Sequence, residues 1–185
     1  MRITDLLIAG AMAVSMTGVA APQMAAADTT GNWDKLSTAL VFGLAGGAEL
    51  KTLSLHDNTG QIQFFKTMAV TLVVTEGLKA VVHERRPDGS SNDSFPSGHA
   101  ALAFAAASYF DVRYGAENRT LVPIAYGAAA LTALSRVEAR KHFAGDVAAG
   151  ALIGLAMGRT FTTAYTNLTV YPTGDGVGVN YTTRF

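Results

Sequence analysis

Two polar interruptions constrain what this chain can fold into. His56-Asp57-Asn58-Thr59-Gly60 has the composition of a turn, and Pro87 followed by Asp88-Gly89-Ser90-Ser91-Asn92-Asp93-Ser94 has that of a loop. Around them apolar residues recur at helical spacing. Phe64, Phe65, Met68, Leu72 and Val73 predict a long helix over 61–85, which Pro87 ends because the residue before a proline avoids the helical region. The same pattern predicts helices over 33–55, 99–114, 120–136 and 144–162, so the fold class is all-α, a helical bundle. The tail changes period. Val177, Val179, Tyr181, Thr183 and Phe185 alternate along an extended strand, which predicts a β-hairpin over 167–185 with its turn within 172–176. The hairpin is expected to pack on the bundle.

The chain of 185 residues is one domain's worth. Fourteen basic residues balance fourteen acidic ones, so no global field attracts nucleic acid. The absence of cysteine excludes disulfides, thiolate catalysis and cysteine-ligated metals. With 49% hydrophobic and 15% charged residues and a mean hydropathy of +0.25, the chain is apolar for a soluble protein. The longest uncharged stretches, 94–110 and 120–135, fall short of the roughly 18 apolar residues of a spanning helix. That favours a soluble domain or one in peripheral membrane contact.

Residues 1–27 read as a signal peptide: Arg2, then an uncharged stretch over 6–27 closing on Ala25-Ala26-Ala27. An uncleaved anchor is the alternative. Asp28-Thr29-Thr30-Gly31 reads as a linker, and 28–166 as the helical domain of an exported protein in the periplasm or cell envelope.

Three segments carry chemistry. Lys79 and Arg86 lie seven residues apart, two turns of the predicted helix, so one helix face would present both to an anion. In Pro96-Ser97-Gly98-His99, Ser97 suits the cap of a helix starting at Gly98, whose free N–H groups suit a phosphate, with His99 beside them. Arg136 offers a planar fork of donors. Six residues on, His142 precedes Asp146 by four, a spacing that lets the carboxylate take the Nδ1 proton and leave Nε2 free as a nucleophile. Taken singly, these segments read as a charged helix end, a capped helix with a surface histidine, and a surface pair worth about 0.2–0.5 kcal/mol. Together they gather three cations, two imidazoles and a carboxylate.

The set Lys79-x6-Arg86-Pro87, Pro96-Ser97-Gly98-His99 and Ser135-Arg136-x5-His142-x3-Asp146 resembles the signature of the superfamily of type 2 phosphatidic acid phosphatases and vanadium-dependent haloperoxidases, position for position. The resemblance spans Lys79 to Asp146. It implies a helical bundle and a cofactor-free, metal-free phosphoryl transfer in two steps. His142 would attack phosphorus, Asp146 would orient it, and His99 would protonate the leaving group. Lys79, Arg86, Ser97, Gly98 and Arg136 would hold the phosphate oxygens. The expected substrate is a phosphomonoester or diphosphate, lipid-linked given the export signal and apolar body. The alternatives are a soluble non-specific acid phosphatase, a vanadium haloperoxidase, and a non-enzymatic anion-binding envelope protein. Nothing in the sequence fixes the oligomeric state.

Overall fold

The structure is a computed structural model that describes residues 24–183. The signal segment up to residue 23 and Phe185 lie outside the described residues. Within them are five helices and one hairpin: α1 (Met24–Ser54), α2 (Asn58–Val82), α3 (Gly98–Tyr114), α4 (Leu121–Glu138), α5 (Ala144–Phe161), β1 (Thr166–Thr173) and β2 (Gly176–Thr183). The all-α bundle with a terminal hairpin is therefore the fold.

Four boundaries differ from expectation, each for a local reason. The residues read as a linker, Asp28 to Gly31, form part of α1. α2 starts within the predicted turn, because the Asp57 carboxylate accepts from the Gly60 N–H at 2.9 Å and caps Asn58–Gly60 as a first helical turn. It stops at Val82, short of Pro87, where His83 turns left-handed at φ 43°. Beyond His83 the backbone pairs across the loop instead: Ser94 N donates to Glu84 O and Arg86 N to Ser91 O, both at 2.9 Å. Pro123 sits in the first turn of α4, where the missing N–H has no helical partner to lose. In the hairpin, Thr173 pairs with Gly176, so the turn shrinks to Gly174-Asp175 and Pro172 joins the strand opposite Val177.

α3 is the central element and packs against all four other helices. Its buried side are alanines and aromatics, with Ala100, Ala101, Ala103, Ala105 and Tyr109 fully inaccessible. α5 approaches it through Gly150, Gly154 and Gly158. A Cβ on Gly154 would lie 2.2 Å from Ala101 O, and one on Gly150 2.4 Å from Ser97 O, so only glycine allows this contact. Interior polar residues are mainly threonines and serines bonded to their own helix. Thr71 donates to Thr67 O at 2.7 Å and Thr75 to Thr71 O at 2.9 Å. Bulky apolar side chains face outward instead, among them Phe42, Leu50, Ile62, Phe65, Val73 and Leu152. No described helix is long and apolar enough to cross a membrane.

One end of the bundle is tied by a buried ion pair. Arg113 on α3 grips Asp57 with two bonds, Nε to Oδ2 at 2.7 Å and an Nη to Oδ1 at 2.6 Å. Its other Nη donates to the carbonyls of Thr163 and Ala164. Tyr114 donates its hydroxyl proton to Asp57 at 2.8 Å, and the same oxygen lies 3.1 Å from Thr52 Oγ1. Burial pushes the Asp57 carboxyl up, but Arg113, the Gly60 N–H and Tyr114 more than reverse this and hold it below the usual range. The hairpin behaves differently from expectation: its strands pair with each other, and no helix packs against it among the described residues.

Gly154→Ala should destabilise the fold by about 1–3 kcal/mol through overpacking against α3, despite alanine's better helix propensity. Gly127→Ala, where a Cβ meets nothing within 4 Å, should stabilise it by about 0.5–1 kcal/mol. Denaturant unfolding of both variants checks the pair; equal signs would show that the α3–α5 contact relaxes freely.

Candidate active site

At the end of the bundle away from Arg113, the α2 C-terminus, the α3 N-terminus, the start of α1 and the α4–α5 turn enclose a cleft of about 380 Å³. Lys79, Arg86, Gly98, His99, Arg136 and His142 all line it. Ser97 and Asp146 stand behind its wall. Ser97 is fully buried, and its hydroxyl accepts from Ala100 N at 3.4 Å as the cap of α3. Asp146 is 2% exposed and lies in the first turn of α5.

Arg86 reaches the cleft by a different route from the one its spacing predicts. α2 ends four residues before it, so Lys79 comes from the helix and Arg86 from the loop beyond the left-handed His83. Both are anchored on Asp93. Lys79 Nζ donates to the Asp93 carbonyl at 2.5 Å, and Arg86 forms an ion pair with its carboxylate at 2.9 Å. Burial pushes the Lys79 ammonium down, against the pull of Asp93 and Glu76. Neither His56 nor His83 lines the cleft. His83 is exposed.

His142 is 3% exposed. Its Nδ1 lies 2.7 Å from the Ser94 carbonyl and 3.8 Å from Asp146 Oδ2. The proton expected to go to Asp146 therefore goes to the Ser94 backbone. Asp146 acts one step further back, accepting from Ser94 Oγ at 2.5 Å and from Phe143 N at 2.8 Å, which fixes the peptide that holds the ring. Nε2 has no protein partner among the described residues. Such an arrangement sets one tautomer and leaves one lone pair for chemistry.

The sequence reading missed six residues here. Asp34 and Thr38, one turn apart on α1, line the cleft; Asp34 pairs with Arg136, and Thr38 Oγ1 lies 3.2 Å from His99 Nε2. Ser37 accepts from Arg136 at 2.9 Å. Glu76 and Asp93 add carboxylates to the rim, and Ser94 holds His142. The only available signal was helical spacing, Glu76 being three residues before Lys79. Arg136 is 3% exposed, and its Nε is buried without a partner among the described residues. A buried donor in that state is a site for an acceptor.

Both histidines are held neutral. Burial lowers His142 to about 4, aided by Arg136 and Lys79, and lowers His99 to about 4, aided by Arg136 and opposed by Asp34. A bound phosphate would reverse part of this by adding negative charge. Chemically the cleft offers four cations, Lys79, Arg86, Arg136 and the Asp88-paired Lys141, a helix start free of side chain at Gly98, one imidazole with an unengaged nitrogen and a second imidazole within the same space.

The model of the PAP2 superfamily matches residues 61–169. A lipid A 1-phosphatase of Porphyromonas gingivalis is 41% identical over 73 residues, which make up 40% of this chain and 16% of that protein. The chain thus matches only a small part of that relative's length. The crystal structure of the first transmembrane PAP2 type phosphatidylglycerolphosphate phosphatase from Bacillus subtilis superposes with a TM-score of 0.43 at 24% identity, over 84% of this chain and 89% of that one.

Two outcomes follow from the geometry. In nitrogen-detected NMR at neutral pH, His142 should carry its proton on Nδ1, and Asp146→Asn should leave that tautomer unchanged, since the Ser94 carbonyl still accepts. A switch to Nε2–H would show that Asp146 sets the tautomer directly. Both histidines have folded values of about 4 against about 6.5 unfolded, so between these pH values the unfolded chain binds more protons. Stability should be full above about pH 6.5 and fall as pH drops towards 4. Calorimetric melting points across this window check it, and His142→Gln should make the fall shallower.

Proposed function

This chain belongs to the PAP2 superfamily, and on that premise we propose that it is a phosphatase acting on a lipid-linked phosphate ester through a phosphohistidine at His142. The observation that carries the reading is the state of His142: buried, neutral, held through Nδ1, and facing Lys79, Arg86 and Arg136 in one cleft with His99.

In the first step the Nε2 lone pair of His142 attacks phosphorus and the phosphorus–oxygen bond to the leaving group breaks. His99, protonated as imidazolium once the bound phosphate's negative charge offsets the burial that lowers it, gives that oxygen its proton and becomes neutral. In the second step His99 takes a proton from water, whose oxygen displaces the imidazole and releases phosphate. Arg86, Arg136, Lys79 and the N–H groups at Gly98 stabilise the charge that builds on the equatorial oxygens. The oxygens must displace Asp93 from Arg86 and Asp34 from Arg136, or share those guanidiniums with them. Ser97 contributes as the cap that orients the α3 N-terminus. Asp146 and Ser94 are positioning residues, acting through His142 and its neighbouring backbone.

Two observations support a lipid-linked substrate. The P. gingivalis relative is a lipid A 1-phosphatase, and its likeness falls on a stretch with 41% identity. The bundle also turns large apolar side chains outward on α1, α2, α4 and α5. An apolar exterior of that kind marks a surface that meets membrane or protein. The signal segment read at 1–27 supports action in the envelope, with the bundle as the catalytic part and the hairpin as an extension outside it.

His142→Ala should lower turnover of p-nitrophenyl phosphate by about 10³-fold or more, with the melting curve retained. Acid-labile radiolabel trapped on the wild-type chain should be absent from that variant. Trapping at the wild-type level would refute the nucleophile. His99→Ala should depress alkyl phosphate hydrolysis far more than nitrophenyl phosphate hydrolysis and flatten the alkaline limb of kcat, because the acid is lost as pH rises. Equal losses on the two esters would count against His99 as the proton donor. A chelator should leave the rate unchanged.

A further inference from the structure

Beside the cleft lies a second, more open one of about 620 Å³, lined by Arg85, Arg86, Pro87, Asp88, Arg140 and Phe143. The two share Arg86. Arg85 and Arg140 are exposed, and neither guanidinium forms a hydrogen bond or ion pair among the described residues. The acid in this cleft is already engaged: Asp88 is bonded to Lys141 at 2.7 Å, which holds its carboxyl well below the usual range. Three guanidiniums thus face one space, and Arg86 alone has a carboxylate partner, Asp93.

Their positions are built. Asp88 N donates to Arg140 O at 3.0 Å, which joins the α2–α3 loop to the α4–α5 turn. Arg140 adopts φ 57°, a left-handed conformation that favours glycine or asparagine after a helix. Gly89, at φ 72°, lets the loop fold back under Arg85, whose guanidinium would stand 3.1 Å from a Cβ there. Phe143, 46% exposed, adds an apolar surface to the same cleft. Like charges held this close repel, and an anion between them relieves that repulsion while filling planar forks suited to phosphate oxygens.

We propose that Arg85 and Arg140 form a second anion subsite, which takes a further phosphate, or a group of like charge, on a substrate whose scissile phosphate lies among Lys79, Arg86 and Arg136. This rests on the phosphatase reading and narrows it to substrates with two neighbouring anionic groups. Arg86, common to both clefts, is the bridge between the two phosphates. The cleavage step itself is unchanged, since neither Arg85 nor Arg140 lines the cleft of His142.

Isothermal titration with inorganic pyrophosphate and with orthophosphate reads the subsite without turnover. Wild type should bind pyrophosphate more tightly. The double variant R85Q/R140Q should bind pyrophosphate about tenfold or more weakly, with orthophosphate affinity changed by less than about twofold. Equal weakening of both anions, or unchanged pyrophosphate affinity, overturns the subsite. If phosphatidylglycerol vesicles lose binding in the variant while pyrophosphate affinity is intact, the arginines serve an anionic membrane surface and the proposal fails. Hydrolysis of p-nitrophenyl phosphate, unchanged between wild type and variant, tests the phosphatase reading separately. A wild type that hydrolyses nothing would sink that reading and leave the titration to decide the subsite.

Discussion

The contact between α3 and α5 is the constraint on which the site depends. Glycine at 150, 154 and 158 brings the two helix backbones together, and that approach joins their N-terminal ends. Ser97 N donates to Asp146 O at 3.0 Å at this junction. With the ends fixed, Gly98 and His99 on one helix and His142 just ahead of the other share one cleft. A bulkier stripe on α5 would push the two ends apart, and the imidazoles would separate even with every side chain intact. Small residues at a helix interface thus have a chemical role here, as well as the packing role they have wherever helices approach closely.

Charge in the cleft is arranged so that no ligand-free group is both buried and unbalanced. Arg136, almost wholly buried, rests on Asp34 and Ser37, and Arg86 on Asp93. The histidines meet the same requirement by giving up their charge. A phosphate entering such a place finds donors already oriented, so little reorganisation is needed when negative charge develops. The carboxylates that hold the arginines are also competitors for them. Affinity is therefore a difference between two pairings, with the unpartnered Arg136 Nε left over for the incoming anion.

Helix identity, order and number were readable from periodicity, because five apolar patterns are separated by strong turn compositions. The candidate residues that the cleft brings together were readable because the spacings within each segment are local. What escaped was of two kinds. Asp34, Thr38 and Ser94 act through contacts between elements distant in sequence, and nothing near them marks that partnership. Arg86 was misplaced for the opposite reason: a local rule, that Pro87 ends the helix, was extended to every residue before it. Competing backbone pairs within 84–94 ended α2 earlier. The hairpin followed the same division. Its alternation was legible, but that no helix packs against it among the described residues is a long-range property that strand periodicity does not encode.

The knot of Arg113, Asp57, Tyr114 and Thr52 has a consequence for how this chain can change. It joins the end of α1, the start of α2, the end of α3 and the segment leaving α5, all at the end of the bundle opposite the cleft. Effects of substitutions at such separated places are close to additive. Residues that choose the substrate can therefore be exchanged at one end while the other end keeps the helices together. The tie that holds the helices and the cleft that holds the histidines thus lie at opposite ends of the bundle.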